Sequence, residues 1–487
     1  MAQGKLKGQA FWSVVLQFSR FGGNAVVFLA MARFLTIEQI GAFGMAYAPI
    51  RWTQALHKAG ISNSVVATIR DKGRETAGTE DGPVFTALFW LSLGLSLLVM
   101  AGLGGLALLL AAVQDQEQPI AEMMLAMLAV PVALGLAAVP EGLLQKRLEI
   151  RSLALRTVTA QLLAAGLAVG LAFAGYGGWA LVGFATLNAV LSSAVSIIMA
   201  GWRPLSGPKW HMIRQEMPRA MTIAGRALIA GGTRPLMQFC IGLFLGLEAS
   251  GAFQIAQRIY QIIDALCLAP IRFLVLPLFA RARERNGGAL PGDAVLTGLK
   301  TAGAVTAPFY LGTIVIAAPA LNLIIGPENA ARSILPLQIL CLMGFNITLV
   351  TILTQAATAA GHPGIPLRRA VMALLLTAAL GLPALAVSAE AVTLCFVLAA
   401  YAALSGYLKS LSRVLGLPVR AMLGAVARPY LAGLLAALPL GAVTMTADLR
   451  PAPWAWAPLL LGAAGLYALC LGIFVPQVRN RFLARKG

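Results

Sequence analysis

Long apolar stretches separated by short polar turns run through most of the 487 residues. Fourteen of them are long enough to cross a membrane, because an α-helix needs about 20 residues to span roughly 30 Å of hydrocarbon. The pattern therefore predicts an all-α polytopic membrane protein. The predicted transmembrane helices, numbered 1 to 14 along the chain, cover about residues 10–32, 41–66, 84–112, 120–141, 153–174, 179–201, 219–243, 251–277, 294–318, 333–359, 366–388, 391–412, 420–445 and 454–476.

The first apolar stretch contains Ala30-Met31-Ala32, which resembles a signal-peptide cleavage site. This stretch is longer than the apolar region of a signal peptide, and Arg20 and Asn24 interrupt it. We therefore expect it to remain in the protein as the first helix of a hairpin.

One short sequence occurs twice. Residues 34–46 (F-L-T-I-E-Q-I-G-A-F-G-M-A) and 244–256 (F-L-G-L-E-A-S-G-A-F-Q-I-A) are identical at seven of thirteen positions, at an offset of 210. Each copy lies between two apolar stretches, so each is predicted to be the bend of a helical hairpin. Chance similarity among common apolar residues is the alternative to duplication; we favour duplication, which predicts two related halves.

The two copies carry the local signals of a helix start. Thr36 followed by Gln39 is typical of a capping box, and Glu38 and Glu248 place negative charge in the first helical turn. In the second copy Gly246 can turn the chain. Both copies are therefore predicted to begin a helix at the corresponding position.

Six predicted helices separate the copies, so both halves should have the same orientation. Parallel repeats of this kind are related by an axis along the membrane normal, with a site between them near the midplane. We predict two six-helix lobes around a central cationic cavity, followed by two extra helices. The predicted divisions are an N-lobe at 1–202 (helices 1–6), a cytoplasmic linker at 203–218, a C-lobe at 219–416 (helices 7–12), and helices 13–14 with a basic cytoplasmic tail at 417–487.

Composition supports a membrane protein and narrows the classes of partner and ligand expected for it. Hydrophobic residues make up 59% and charged residues 11% of the chain, whereas soluble proteins carry about a quarter charged residues. The net charge of +19 is explained by basic cytoplasmic loops and intramembrane arginines, so we predict no nucleic-acid partner. The five cysteines lie in apolar stretches without motif spacing, and the three histidines are scattered, so we predict no disulfide, metal site or cofactor.

Lys and Arg are concentrated in alternate turns, a positive-inside pattern that places both termini in the cytoplasm and residues 114–119 outside. The opposite side has Arg33, Arg332 and Arg450 alongside the acidic stretch Asp115-Gln116-Glu117. The expected location is the inner membrane of a bacterial cell. The basic residues assigned to the cytoplasmic side are Arg70, Lys72, Arg74, Lys146, Arg147, Arg151, Arg156, Arg203, Lys209, Arg214, Arg219, Arg281, Arg283, Arg285, Arg368, Arg369, Lys409, Arg413, Arg420 and the tail from Arg479 to Lys486.

Polar side chains inside the membrane are concentrated in helices 1, 2, 7 and 8, which form the two repeated hairpins. A charged side chain at the bilayer centre costs about 3 kcal/mol on insertion scales, so each such residue is expected to have a structural or functional role. A single arginine could be paired with an acid or cap a helix end, and Lys58, Arg226 and Arg272 could extend to the interface. The residues with one-face spacing are Gln17, Arg20 and Asn24; Arg51, Gln54 and Lys58; Arg226, Arg234 and Gln238; and Gln254, Gln257, Arg258, Gln261 and Asp264.

The sign of these charges points to an anionic ligand. The sequence offers one clearly intramembrane acid, Asp264, while Glu141 lies near a cytoplasmic end. A water-filled cavity that holds an anion would account for the excess of arginine, whose planar fork binds phosphate or carboxylate oxygens in pairs. We therefore predict substrate-binding roles for Arg20, Asn24, Arg51, Arg234, Arg258 and Gln261.

Asp264 has two possible roles. It is either the static partner of an arginine or a coupling site that binds a proton when the cavity faces outward, and the excess of arginine favours the static role. Two glycine pairs are equally ambiguous. Gly22-Gly23 and Gly231-Gly232 could bend helices 1 and 7 at a transport site or allow close helix packing.

The sequence resembles the multidrug/oligosaccharidyl-lipid/polysaccharide exporter superfamily, and within it the polysaccharide-transporter family of bacterial repeat-unit flippases. The resemblance extends from helix 1 to helix 12 and is carried by residues 32–43 (A-R-F-L-T-I-E-Q-I-G-A-F), 59–65 (A-G-I-S-N-S-V), 244–260 and 276–281 (L-P-L-F-A-R). It implies about fourteen helices and cavity arginines that contact the diphosphate of an undecaprenyl-linked substrate. Arg20 and Arg51 match the expected positions on helices 1 and 2, and Arg258 is their counterpart in the second half. In the lipid II branch an acid follows this arginine on helix 1, whereas no acid follows Arg20 here. This difference favours a polysaccharide repeat unit as the substrate.

The predicted function is therefore transport without an enzymatic reaction: flipping of an undecaprenyl-diphosphate-linked oligosaccharide of O-antigen or exopolysaccharide by alternating access. The expected partners are this anionic lipid-linked glycan, membrane lipid and the polysaccharide polymerase or export machinery. A cation-coupled drug antiporter of the same superfamily is one alternative, although it would need acids in its cavity. A membrane polymerase or ligase is another, although such enzymes carry a large external loop that this sequence lacks.

Overall fold

Seventeen α-helices make up the regular structure of the described part of the chain. The computed structural model describes residues 24–57, 62, 65, 83–113, 119–147, 150–204, 207–446 and 456–474. The helices are α1 (Asn24–Ala32), α2 (Ile37–Ala55), α3 (Pro83–Val113), α4 (Ile120–Ala126), α5 (Ala129–Lys146), α6 (Ile150–Phe173), α7 (Trp179–Ala200), α8 (Trp210–Leu245), α9 (Leu247–Cys267), α10 (Ala269–Arg285), α11 (Gly292–Ile325), α12 (Pro327–Cys341), α13 (Gly344–Ala359), α14 (Gly364–Ala384), α15 (Ala389–Leu415), α16 (Val419–Thr446) and α17 (Trp456–Phe474).

The prediction of an all-helical membrane protein is confirmed. The residues that the structure describes contain no β-strand. In the described residues, eight helical spans, one of them formed by α4 and α5 together, are long and apolar enough to cross a membrane. The number rises to eleven when each bent pair is counted as one span. The count of fourteen stays a prediction, because residues 10–23 of predicted helix 1 and most of residues 58–66 of predicted helix 2 lie outside the described residues.

Three apolar spans are bent by more than 40°. The bend is 51° within α8, 47° between α9 and α10, and 43° between α12 and α13. Proline accounts for two of them, because it removes a backbone donor and its ring presses on the carbonyl of the residue four positions earlier. Pro235 lies just after the bend in α8, and Pro270 lies in the first turn of α10.

The helix starts predicted from the repeat are confirmed. Thr36 is the N-cap of α2; its hydroxyl accepts from the Gln39 backbone N–H at 3.3 Å, and the Gln39 side chain accepts from the Thr36 N–H at 3.3 Å. Glu38 and Glu248 lie in the first turns of α2 and α9. Gly246, with φ of 89°, forms the turn between α8 and α9.

The chain divides into two compact units, Met1–Gln254 and Ile255–Gly487. In the first, α3, α5 and α7 pack side by side, α6 lies against α7, and α8 lies against α2 and α3. Leu88, Val139, Leu143 and Leu144 are fully buried in this core. The predicted division at a 203–218 linker, the parallel repeat and the central cavity stay predictions.

In the second unit, α11 is the central packing element. It contacts α12, α13 and α16, while α14 packs on α15, and α13 packs on α10 and α15. Leu299, Leu349, Ile352 and Leu353 are fully buried where these helices meet. A smaller cluster joins α17 to α11 and α16, and there the Tyr467 hydroxyl donates to the carbonyl of Ala304 at 2.7 Å.

A buried ion pair joins three helices of the first unit. Arg156, which the sequence analysis counted with the basic cytoplasmic turns, lies within α6 and is 7% exposed. Its guanidinium forms contacts of 3.3 and 3.4 Å with the two carboxylate oxygens of Glu141 on α5, and it donates to the Ser196 hydroxyl on α7 at 2.8 Å. This pair could not be predicted from the sequence, because its partners are separated by a turn and lie on different helices.

Candidate functional site

The two copies of the repeat lie against each other at the starts of α2 and α9. A side chain at Gly41 would strike the carbonyl oxygen of Leu247, and a side chain at Gly251 would strike the carbonyl oxygen of Ile37. The contact is reciprocal, because Ile37 and Leu247 occupy the same position in the two copies. This symmetry supports duplication, and it explains why both copies retain glycine where the two backbones meet.

A hydrogen-bond chain secures this crossing. Ser250 donates to the carbonyl of Gly41 at 3.2 Å, and the Gln238 amide donates to the Ser250 hydroxyl at 2.6 Å and carbonyl at 2.9 Å. Gln238 is 2% exposed, so this amide is held away from solvent. Gln238, which the sequence analysis placed in a polar face of predicted helix 7, therefore joins α8 to both copies of the repeat.

Two of the predicted site residues belong to predicted helix 1. Arg20 lies outside the described residues. Asn24 is the first residue of α1. Their substrate-binding roles stay predictions.

Arg51 and Arg234 lie on helices that pack against each other. Arg51 is near the end of α2, Arg234 lies just after the bend of α8, and both side chains are partly buried. Between these helices the Trp52 indole donates to the carbonyl of Leu228 at 3.1 Å. The first unit thus brings together the two helices that carry these arginines, and Trp52 is a contact that the sequence analysis did not single out.

Helix α9 has a polar face in which burial varies along the helix. Gln254 and Gln257 are each 1% exposed, whereas Arg258 and Gln261 are only partly buried. The Gln261 amide donates to the Gln257 side chain at 3.4 Å. Arg258 and Gln261 are therefore accessible in a way that their buried neighbours are not, which is what a ligand-binding role would require.

Asp264 forms an ion pair across the bend between α9 and α10. One guanidinium nitrogen of Arg272 contacts both carboxylate oxygens, at 2.9 and 3.0 Å. The Tyr310 hydroxyl donates to the same carboxylate at 3.4 Å, and its ring lies 5.7 Å from that of Tyr260. The carboxylate thus has an arginine partner and a hydroxyl donor, while its role in transport stays a prediction.

Hydroxyl groups extend this polar region within the second unit. The Thr306 and Thr348 hydroxyls are 2.9 Å apart, and the Tyr430 hydroxyl lies 3.2 Å from Thr348 and 3.3 Å from Thr306. Thr306 and Tyr310 are one turn apart on α11. This network was not predicted, because single hydroxyl residues in an apolar helix commonly bond to their own backbone.

These features define a multi-pass membrane protein with charged residues on α2, α8 and α9, the helices that carry parts of the two copies of the repeat. The profile of the family described as "Polysaccharide biosynthesis protein" matches residues 30–330. This match covers more than half of the chain, and the protein belongs to that family.

A curated relative has a named transport role. The chain is 24% identical over 333 residues to the succinoglycan biosynthesis transport protein ExoT of Rhizobium meliloti (strain 1021). The match covers 66% of this chain and 62% of that protein, so it spans less than two thirds of the relative's length.

Solved structures share the fold. The lipid II flippase MurJ in an inward closed conformation superposes with a TM-score of 0.74 at 14% identity, covering 96% of this chain and 99% of that chain. A multidrug resistance MATE family transporter of the MOP superfamily, in an inward-facing conformation, gives a TM-score of 0.61 at 16% identity, covering 83% and 98%. At these identities the likeness establishes the fold alone.

Proposed function

We propose that this protein flips an undecaprenyl-diphosphate-linked oligosaccharide from the cytoplasmic to the outer leaflet of the bacterial inner membrane. The cargo is a repeat unit of O-antigen or exopolysaccharide, and flipping occurs by alternating access. Both termini are cytoplasmic, and the polysaccharide polymerase or export machinery receives the product. The protein makes and breaks no covalent bond in this role.

The observation that carries the proposal is the presence of arginines at partly buried positions of the repeated hairpins. Arg51 and Arg234 lie on packed helices of the first unit, and Arg258 lies on the polar face of α9. A guanidinium keeps its charge in a poorly hydrated site and binds two oxygens of a diphosphate at once. Family membership and the transport role of the named relative support the same conclusion.

The sign of the charge favours a lipid diphosphate over a cationic drug. A cation antiporter would need carboxylates where this chain has Arg51, Arg234 and Arg258. Asp264, the acid on the same polar face, is bound by Arg272 at 2.9 Å. The likeness to a multidrug transporter therefore extends to the fold and supplies no argument for a cationic substrate.

Arg51 tests the proposal. Arg51→Ala should abolish export while folded protein stays in the membrane, because the side chain contributes ligand contacts more than packing. Arg51→Lys should restore export only in part, since lysine lacks the bidentate fork. Export is measured as polysaccharide released by cells, normalised to membrane-inserted protein.

Arg281→Ala is the matched control, because Arg281 is exposed near the end of α10. It removes the same charge outside the proposed site and should leave export unchanged. Normal export by Arg51→Leu would show that Arg51 has no role in substrate binding.

A further inference from the structure

A single bend in α8 controls where Arg234 lies. The segments Ala220–Ile229 and Gly231–Leu245 are inclined by 51°. Pro235 cannot donate to the carbonyl of Gly231, four residues earlier, and its ring presses on that carbonyl. Arg234 belongs to the second segment, so its position depends on this angle.

The indole of Trp52 lies directly against the bend. Its Nε1 donates to the carbonyl of Leu228 at 3.1 Å, immediately before the change of direction. A carbonyl oxygen can accept a second hydrogen bond, and carbonyls at a bend are turned out from the helix. Trp52 thus forms a side-chain bond from α2 to the backbone of α8 at this point.

Gly232 provides the space for this indole. A Cβ at Gly232 would lie 2.5 Å from the Trp52 Nε1 and 3.1 Å from its Cδ1. A Cβ at the neighbouring Gly231 would meet no atom within 4 Å. The two glycines are therefore not equivalent: Gly232 accommodates the Trp52 ring, and Gly231 faces open space.

Trp52 also adjoins Arg51 in the sequence, while Leu228 precedes Arg234 by six residues, about 9 Å along a helix. The Trp52 side chain therefore contacts both segments of α8. It bonds to Leu228 in the first segment and packs on Gly232 in the second, which carries Arg234. We propose that Trp52 is a positioning residue that holds the bend of α8, so that Arg51 and Arg234 bind the two phosphates of one lipid diphosphate together. This inference rests on the proposed function.

The first experiment measures the bend without any ligand. Spin labels at Met221 and Phe244, both exposed on α8, are placed in full-length protein whose native cysteines are replaced. The labels are about 31 Å apart along the bent helix and about 34 Å along a straight one, at ~1.5 Å per residue. Trp52→Phe removes the N–H donor and Gly232→Ala displaces the indole, so both should lengthen or broaden the distance distribution. Gly231→Ala is the matched control and should not.

The second experiment measures discrimination between ligands. Affinities of the purified protein for geranyl diphosphate and geranyl monophosphate are compared. Wild type should prefer the diphosphate, and Trp52→Phe should reduce that preference about fivefold, as expected for one lost hydrogen bond. Arg234→Ala should reduce it as well, and adding Trp52→Phe to Arg234→Ala should cause no further loss, because Trp52 acts through Arg234.

The outcomes separate the two ideas. A wild-type protein without preference for the diphosphate would contradict the proposed function, and the spin-label distances would still decide whether Trp52 holds the bend. If Trp52→Phe leaves the distances unchanged, or if its effect on the preference adds fully to that of Arg234→Ala, the positioning role is wrong.

Discussion

Single residues decide how closely the repeated helix starts approach. Gly41 and Gly251 each lie against a backbone carbonyl of the other copy, where any side chain would collide. The neighbouring Ser250 and Gln238 convert that approach into hydrogen bonds. The crossing therefore depends on residues too small or too ordinary to stand out individually. Only the two glycines are duplicated in the sequence, and that duplication is what identifies them.

Replacing Gly41 by alanine should destabilise the protein. The added methyl would meet backbone rather than a flexible side chain, and overpacking of this kind costs about 1–3 kcal/mol. Thermal unfolding of purified protein should show a lower Tm for Gly41→Ala and likewise for Gly251→Ala. Gly94→Ala, whose Cβ would meet nothing within 4 Å, is the control. Equal stability of the Gly41 and Gly94 variants would contradict the close backbone crossing.

Asp264→Asn tests the second residue-scale feature. The carboxylate has an arginine partner, and the Arg272 side chain is 38% exposed, so solvent screening limits the pair to about 1 kcal/mol or less. We expect a slightly lower Tm and a dependence of transport on the pH gradient that is unchanged from wild type. Asp264→Asn combined with Arg272→Gln should recover stability. A stable Asp264→Asn protein whose transport ignores the pH gradient would instead identify Asp264 as a coupling site.

At the scale of elements, charged pairs and bends fix how neighbouring helices meet. The Arg156–Glu141 pair joins α5, α6 and α7 and is almost completely buried. It lies apart from Arg51, Arg234 and Arg258 in the sequence, and its two charges pair with each other. We therefore assign it to stability and not to substrate binding.

Glu141→Gln should lower the free energy of unfolding by about 3–5 kcal/mol, the usual cost of leaving one member of a buried ion pair without its charged partner. Replacing both partners, as Glu141→Leu with Arg156→Met, should cost less, because no buried charge remains. Glu284→Gln, at an exposed site, serves as the control. Transport per folded molecule should be unchanged in all three. A selective loss of transport in Glu141→Gln would show that the pair takes part in the mechanism.

The helices were the most predictable part of the structure. Apolar length identified the membrane helices, and the capping residues placed the start of α2, because both signals depend on neighbours in the sequence. The contacts of Trp52 with Leu228 and of Arg156 with Glu141 could not be predicted, since they depend on which helix faces join. The role of Gly231-Gly232 was ambiguous for the same reason: the sequence does not reveal that an indole covers only one of the two glycines.

At the scale of the whole molecule, a family match, a transporter fold and basic intramembrane residues lead to one account. The membrane potential can contribute to export, because an interior-negative potential drives an uncompensated anion outward by about 2.3 kcal/mol per charge per 100 mV. An arginine-containing site accommodates such an anion without requiring an acid that carries protons. We therefore propose that the protein moves an anionic lipid-linked glycan between leaflets.

The leaflet distribution of the lipid-linked glycan after depletion of the protein tests this claim most directly. Cells are depleted of the wild-type protein, and the undecaprenyl-diphosphate-linked repeat unit is quantified in inside-out and right-side-out membrane vesicles with an impermeant glycan-modifying enzyme. If the protein is a flippase, the intermediate should accumulate on the cytoplasmic face, and wild type, but not Arg51→Ala, should restore its outward movement. A lipid-linked pool unchanged in size and leaflet would contradict it.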